Sequence, residues 1–174
     1  VDGNGVYHGN LLKLLNLYGL LGGVFFVLLF ALHGALWMAI KSTGDLHDRA
    51  VALARGIWPL LLCAALAFLT ATAVYTSLYV NYMKFPPLLV FPILAVASLL
   101  TTRFFIASNS VGMAWVCNAV FIVCVTFFGV FGMYPALLPS SMDPAFSVTI
   151  ANGASSPLTL KIMLGVALTC VPVV

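Results

Sequence analysis

The stretch YGLLGGVFFVLLFALHGALWMAI, residues 18–40, contains no Asp, Glu, Lys or Arg. At ~1.5 Å per residue a helix over it reaches about 34 Å, enough to cross a hydrocarbon layer of ~30 Å. Lipid offers no water to an unpaired amide, so such a run closes its hydrogen bonds internally. Residues 56–82, 88–102, 113–134 and 158–174 read the same way. The expected fold is all-α: a polytopic transmembrane helical bundle of about five spans.

Composition agrees. The chain is 63% hydrophobic and only 6% charged, with a mean hydropathy of +1.16. Soluble domains carry roughly 25% charged residues, and one this poor in charge would expose large apolar patches. The net charge of +3 comes from scattered bases, so no stripe tracks phosphates and nucleic acid is not an expected partner. Glu is absent, and Asp2, Asp45, Asp48 and Asp143 all lie before or between apolar runs, so paired-carboxylate chemistry has no residues to use. Cys63, Cys117, Cys124 and Cys170 show no C-x-x-C spacing and read as small hydrophobes. The chain starts at Val1 and is still apolar at Val174, so both ends read as cut from a longer protein.

Residues 1–16 form a polar, Gly-rich lead. Gly19 and Gly23 open the first span at a spacing that lets another helix approach. The loop 41–55 is the most polar segment, and Thr43 or Asp45 is expected to cap a short amphipathic helix on the membrane surface. Trp58 at one end of the second span and Tyr75, Tyr79 and Tyr82 at the other read as interfacial anchors, with stacking on a quinone ring as the alternative. KFPP (84–87) is a turn, Pro92 is expected to bend the third span, and Arg103 with Ser108–Asn109–Ser110 forms the next turn. Lys41, Arg49, Arg55 and Arg103 lie on one side, against Lys13, Lys84 and Lys161 on the other, which places the first side in the cytoplasm. Ser155 or Ser156 is expected to cap the last helix, with Pro157 in its first turn. The long loop 135–157 before it suits packing or function.

His33 is the ionisable side chain well inside a span, and such a residue is a functional candidate. Three readings are open. Haem ligation needs a second ligand at matching depth or an open distal pocket, and His8, His47, Met38, Met113 and Met133 are poorly placed to serve. A contact to quinone or to a proton path is the second. A satisfied interhelical hydrogen bond beside Gly34 is the third and the favoured one. Asn118 is expected to bond across helices.

LLNLYGLLGG (14–23), HGAL (33–36), TGDLHDRA (43–50) and above all YPALLPSSMDPAFSVTIANGASSPLTLKIM (134–163) resemble subunit II of the cytochrome bd quinol oxidases. Order and spacing agree along the chain, with residues 55–130 matching mainly in hydropathy. The segment resembles the C-terminal part of that longer subunit, so residues 1–174 are expected to be that part, the N-terminal half being absent. The resemblance implies a complex that oxidises membrane quinol and reduces dioxygen to water, generating a proton gradient. In that family subunit I holds all three haems, and subunit II lacks haem ligands and supports assembly. Some members hold a quinone in subunit II. The family's acidic proton path belongs to the N-terminal half, and DGN at Asp2–Asn4 is not its WDGN motif, because the Trp is lacking.

His33 falls where relatives can carry Gln, and Lys161 where they can carry Asn. Asn16, Ser140, Ser141, Ser155, Ser156 and Thr159 fall on family motifs and are expected to fix loops and helix ends. The expected partners are the haem-bearing subunit I, the quinol pool, lipids and a small accessory subunit. The expected cofactors are haems in the partner, none ligated here, and a bound quinone or lipid. The expected location is a bacterial or archaeal cytoplasmic (inner) membrane. The rival readings are half of a secondary transporter and a structural subunit of another respiratory complex.

Overall fold

The structure is a computed structural model that describes residues 16–138 and 147–171. These fall into two compact units, one covering the residues up to Met133 and the other those from Tyr134 onward.

The first unit is a helical bundle. Helix α1 (Leu17–Lys41) begins at Asn16, whose side chain accepts from Gly19 N at 2.6 Å and satisfies an amide that lacks a carbonyl partner. After Ser42 the chain reverses at Gly44, whose φ of +65° is one that side-chain-bearing residues rarely adopt. Helix α2 (Asp45–Tyr75) follows at once, with Asp45 and Asp48 in its first turn, where the helix dipole favours acids. The expected surface helix and second span are thus one continuous helix. Ala, Leu and Arg around the junction are good helix formers. Ala50, Val51 and Ala54 are buried in the same core as α1, which holds the amphipathic part to the bundle.

The second span also ends earlier than expected. Thr76 closes α2: its hydroxyl donates to Thr72 O at 2.7 Å, and a new helix α3 (Leu78–Lys84) starts beyond it. A 3₁₀ turn, Pro86–Leu89, leads into α4 (Val90–Ala107). Pro92 lies in the first turn of α4, where an amide has no helical acceptor to lose. Arg103, expected in a turn, is inside α4. Asn109, at φ +55°, makes the tight turn into α5 (Val111–Met133).

Helix α1 packs chiefly on α2 and α4 chiefly on α5, giving two antiparallel hairpins that share a core. Leu29, Leu32, Leu36, Leu61, Ile106 and Ala114 are among its most buried members. Phe68 stacks on Tyr18 at 5.3 Å and on Phe25 at 5.5 Å, and Phe25 meets Phe121 edge-on at 6.4 Å. Gly22, not Gly23, faces this ladder: a methyl on Gly22 would lie 3.1 Å from Phe68, whereas one on Gly23 would meet nothing. Residues 22, 25, 29, 32 and 36 share the inward face at helical spacing, which turns Gly19 and Gly23 outward.

Four helices are long and apolar enough to span: α1, α2, α4 with its 3₁₀ entry, and α5. The second unit holds a shorter apolar helix, α6 (Pro157–Cys170), whose 14 residues rise ~21 Å. The chain is an integral membrane protein built as a polytopic helical bundle. In the second unit a small antiparallel pair, β1 (Ala136–Leu138) with β2 (Val148–Thr149), replaces part of the expected loop. Asn152 locks it by accepting from Thr149 N at 2.6 Å and donating to Ser147 O at 3.1 Å.

Candidate functional site

The buried serine and threonine side chains of the spans are satisfied by their own helices. Thr72 donates to Phe68 O at 2.7 Å, Ser98 to Ala95 O at 2.9 Å, and Thr102 to Ser98 O at 2.7 Å. Tyr18 reaches Thr72 Oγ1 at 3.1 Å. Such back-bonding spends polarity locally and leaves no site.

A different arrangement joins α1 to α5. Asn118 Nδ2 lies 3.2 Å from His33 Nδ1, a hydrogen bond in which the amide N–H donates to the ring nitrogen. Asn118 has no exposed surface, while His33 is half-buried. The indole of Trp115 stacks on the His33 ring with centroids 5.0 Å apart. Trp37 tilts against Trp115 at 5.2 Å, and Lys41 Nζ sits 4.9 Å over the Trp37 ring. An aromatic strip therefore runs from a charged helix end to an imidazole–amide pair. Trp115 Nε1 and Asn118 Oδ1 are buried without partners. This node can hold a neutral polar group, and nothing in it supplies a negative charge.

A separate apolar cavity of about 150 Å³ lies between the two hairpins, lined among others by Phe25, Leu62, Phe68, Pro92, Leu99 and Phe121. His33 does not line it, nor does any other ligating side chain. The tyrosines expected as interfacial anchors differ in their contacts. Tyr79 donates to Leu69 O at 3.0 Å, and Tyr82, almost fully buried, donates to Phe128 O at 2.7 Å. Asn81 donates to Gly132 O at 2.9 Å, so α3 is clamped to α2 and α5. Burial pushes the Tyr82 phenol up to about 12. Tyr75 is exposed and tilts against Tyr18 at 6.0 Å.

The link after α1 and the turn before α5 meet at one end of the bundle, where Arg55 donates to Asn109 Oδ1 at 2.8 Å. Arg103 lies over the Trp58 ring at 5.7 Å, and Trp58 Nε1 donates to Leu99 O at 2.9 Å. His47 is pinned to Ala39 O at 2.7 Å. The four bases counted on the cytoplasmic side therefore share this end.

The family model for cytochrome bd terminal oxidase subunit II matches residues 1–174. The chain belongs to that family. It is 28% identical to the cytochrome bd ubiquinol oxidase subunit 2 of Bacillus subtilis (strain 168), covering 100% of this chain and 51% of that one. It is 31% identical to a probable cytochrome oxidase subunit 2 of Haemophilus influenzae (91% and 49% covered). It is 27% identical to the cytochrome bd-I ubiquinol oxidase subunit 2 of Escherichia coli (strain K12), with 97% and 52% covered. The chain spans about half the length of these subunit II relatives.

Among the residues expected to fix the ends of subunit II helices, Asn16 caps α1. Ser156, not Ser155, caps α6: it accepts from Thr159 N at 3.3 Å, and its hydroxyl lies 2.8 Å from Thr159 Oγ1. Ser155 and Lys161 are exposed, and Ser140 and Ser141 lie outside the described residues. Among the described residues no group of three His, Cys, Asp or Glu side chains is placed to hold a metal. Trp115 was the partner sequence reasoning missed. It stands three residues before Asn118, on the same helix face, and that spacing was the available signal.

Proposed function

We propose that this chain is the C-terminal transmembrane part of subunit II of a bd-type quinol oxidase in a bacterial or archaeal cytoplasmic membrane. It acts as scaffold and interface for a haem-bearing subunit I and ligates no haem itself. The complex removes electrons and protons from quinol and uses the electrons, with protons taken up inside, to reduce dioxygen to water. Protons released outside complete the gradient.

Family membership supports the complex, and one observation carries the scaffold role. The interior is apolar, its buried serine and threonine hydroxyls bond back to their own helices, and its one deep imidazole is paired with an amide. A haem needs both a ligating side chain and room for its plane. The apolar cavity has no ligand, and the indole of Trp115 covers a face of His33 while Asn118 occupies Nδ1. Among the described residues, therefore, this site does not fit a haem. The cavity does suit an apolar chain, which supports a bound lipid or a quinone tail there. The outward face carrying the exposed Gly19 and Gly23 offers a close approach to a neighbouring helix. A transporter half would gather charged groups and broken helices at mid-depth; His33 alone answers that description in the described spans.

Co-purification tests the assignment. A haem-rich partner with quinol-dependent oxygen uptake supports it, whereas solute counterflow in haem-free liposomes contradicts it.

A further inference from the structure

Trp115 Nε1 and Asn118 Oδ1 are, among the described residues, the buried side-chain polar atoms without a hydrogen-bond partner. They are of opposite kinds, since an indole N–H only donates and an amide oxygen only accepts. They stand three residues apart on one face of α5. Both side chains also touch the same imidazole, at 5.0 Å between ring centroids and 3.2 Å between nitrogens. Buried polar groups in lipid-immersed helices are normally paired, so an adjacent donor and acceptor left over together need one explanation.

We infer that His33, Trp115 and Asn118 form a binding site for one neutral hydroxyl, which accepts from Trp115 Nε1 and donates to Asn118 Oδ1. The pattern selects the ligand class. A carbonyl has no proton to donate and an ammonium no lone pair to accept with, and a carboxylate would bring a charge into the span. His33 cannot fill the role itself, because its Nδ1 already accepts from Asn118. Trp115 is half-buried and packs against the exposed Trp37, so the hydroxyl is expected to enter on that side. Water is the smallest carrier of such a group. The other source is a phenol or alcohol head on an apolar body arriving from the bilayer.

The site does not depend on the oxidase assignment, and its test reads structure and stability rather than turnover. In the intact complex, imaged at a resolution that shows ordered waters, a density feature is expected within hydrogen-bond distance of both atoms. An isolated feature identifies water, and one continuous with a ring or tail identifies the lipid-soluble source; either supports the site. No feature, or Trp115 Nε1 and Asn118 Oδ1 bonded to each other or to protein groups, overturns it. A variant cycle reads the same bridge. Trp115→Phe keeps the stacked ring without the donor, and Asn118→Leu removes the acceptor. With one bridging hydroxyl the double variant lowers the melting temperature by less than the sum of the two single drops, while additive drops overturn the inference.

Discussion

At the scale of single residues, the His33–Asn118 pair decides how a polar group survives inside an apolar helix. Removing one partner strands the other, and interhelical hydrogen bonds in membranes contribute ~0.6 kcal/mol on average and up to ~1.7. His33→Leu should therefore destabilise the complex by about 1–2 kcal/mol, and His33→Gln, whose amide can still pair with Asn118, by less; thermal denaturation measures both. Gly132 shows a steric limit of the same size. A methyl there would overlap the Leu78 side chain, so Gly132→Ala should cost about 1–3 kcal/mol by overpacking. Gly23→Ala, which meets nothing within this chain, should leave the intrinsic stability of the bundle within ~0.5 kcal/mol. Tyr82 makes stability depend on alkaline pH. Its phenol is raised from 10.0 to about 12, so the folded state favours the neutral form. That contribution is complete below pH 10.0 and is lost as pH rises through about 12. Tyr82→Phe should remove this alkaline sensitivity, as read from melting temperature against pH.

At the scale of elements, continuity is the main finding. Because α2 runs unbroken through residue 54, Ala54→Pro should cost ~3 kcal/mol or more, where a loop would have tolerated it. Ser156→Ala should cost about 1 kcal/mol through the lost cap of α6, and Ser155→Ala close to nothing. The spans themselves were legible because residues 18–40 and 113–134 are hydrophobic on every face, which only lipid explains. The unity of α2 was not, because polarity over 41–55 looks like a loop even where Ala and Leu favour a helix. The break at Thr76 was hidden by apolar residues on both sides, the backbone of Thr76 turning to an extended conformation. The β1–β2 pair is too short for a period-two pattern to register. In the site, His33 and Asn118 stood out as polar residues in apolar runs. Their pairing did not, because 85 residues separate them and only the packing of the two hairpins brings them together. Trp115 passed for an ordinary bulky membrane residue.

At the scale of the whole molecule, the bundle's apolar outer surface and its apolar interior leave few groups for chemistry. Exposed Phe26, Phe30, Val96 and Phe104 suit lipid or a partner subunit. Lys41, Arg49, Arg55 and Arg103 at one end suit the cytoplasmic face, and a membrane-impermeant thiol reagent should label Asp48→Cys from the cytoplasmic side alone. The central claim is that this chain braces a redox partner without holding iron. Its most direct test is the haem spectrum of purified subunit II, taken beside that of the intact oxidase carrying His33→Ala. The account predicts no haem absorption in the isolated subunit and an undiminished haem content in the variant complex. A stoichiometric haem band in the isolated subunit that disappears with His33→Ala would contradict it.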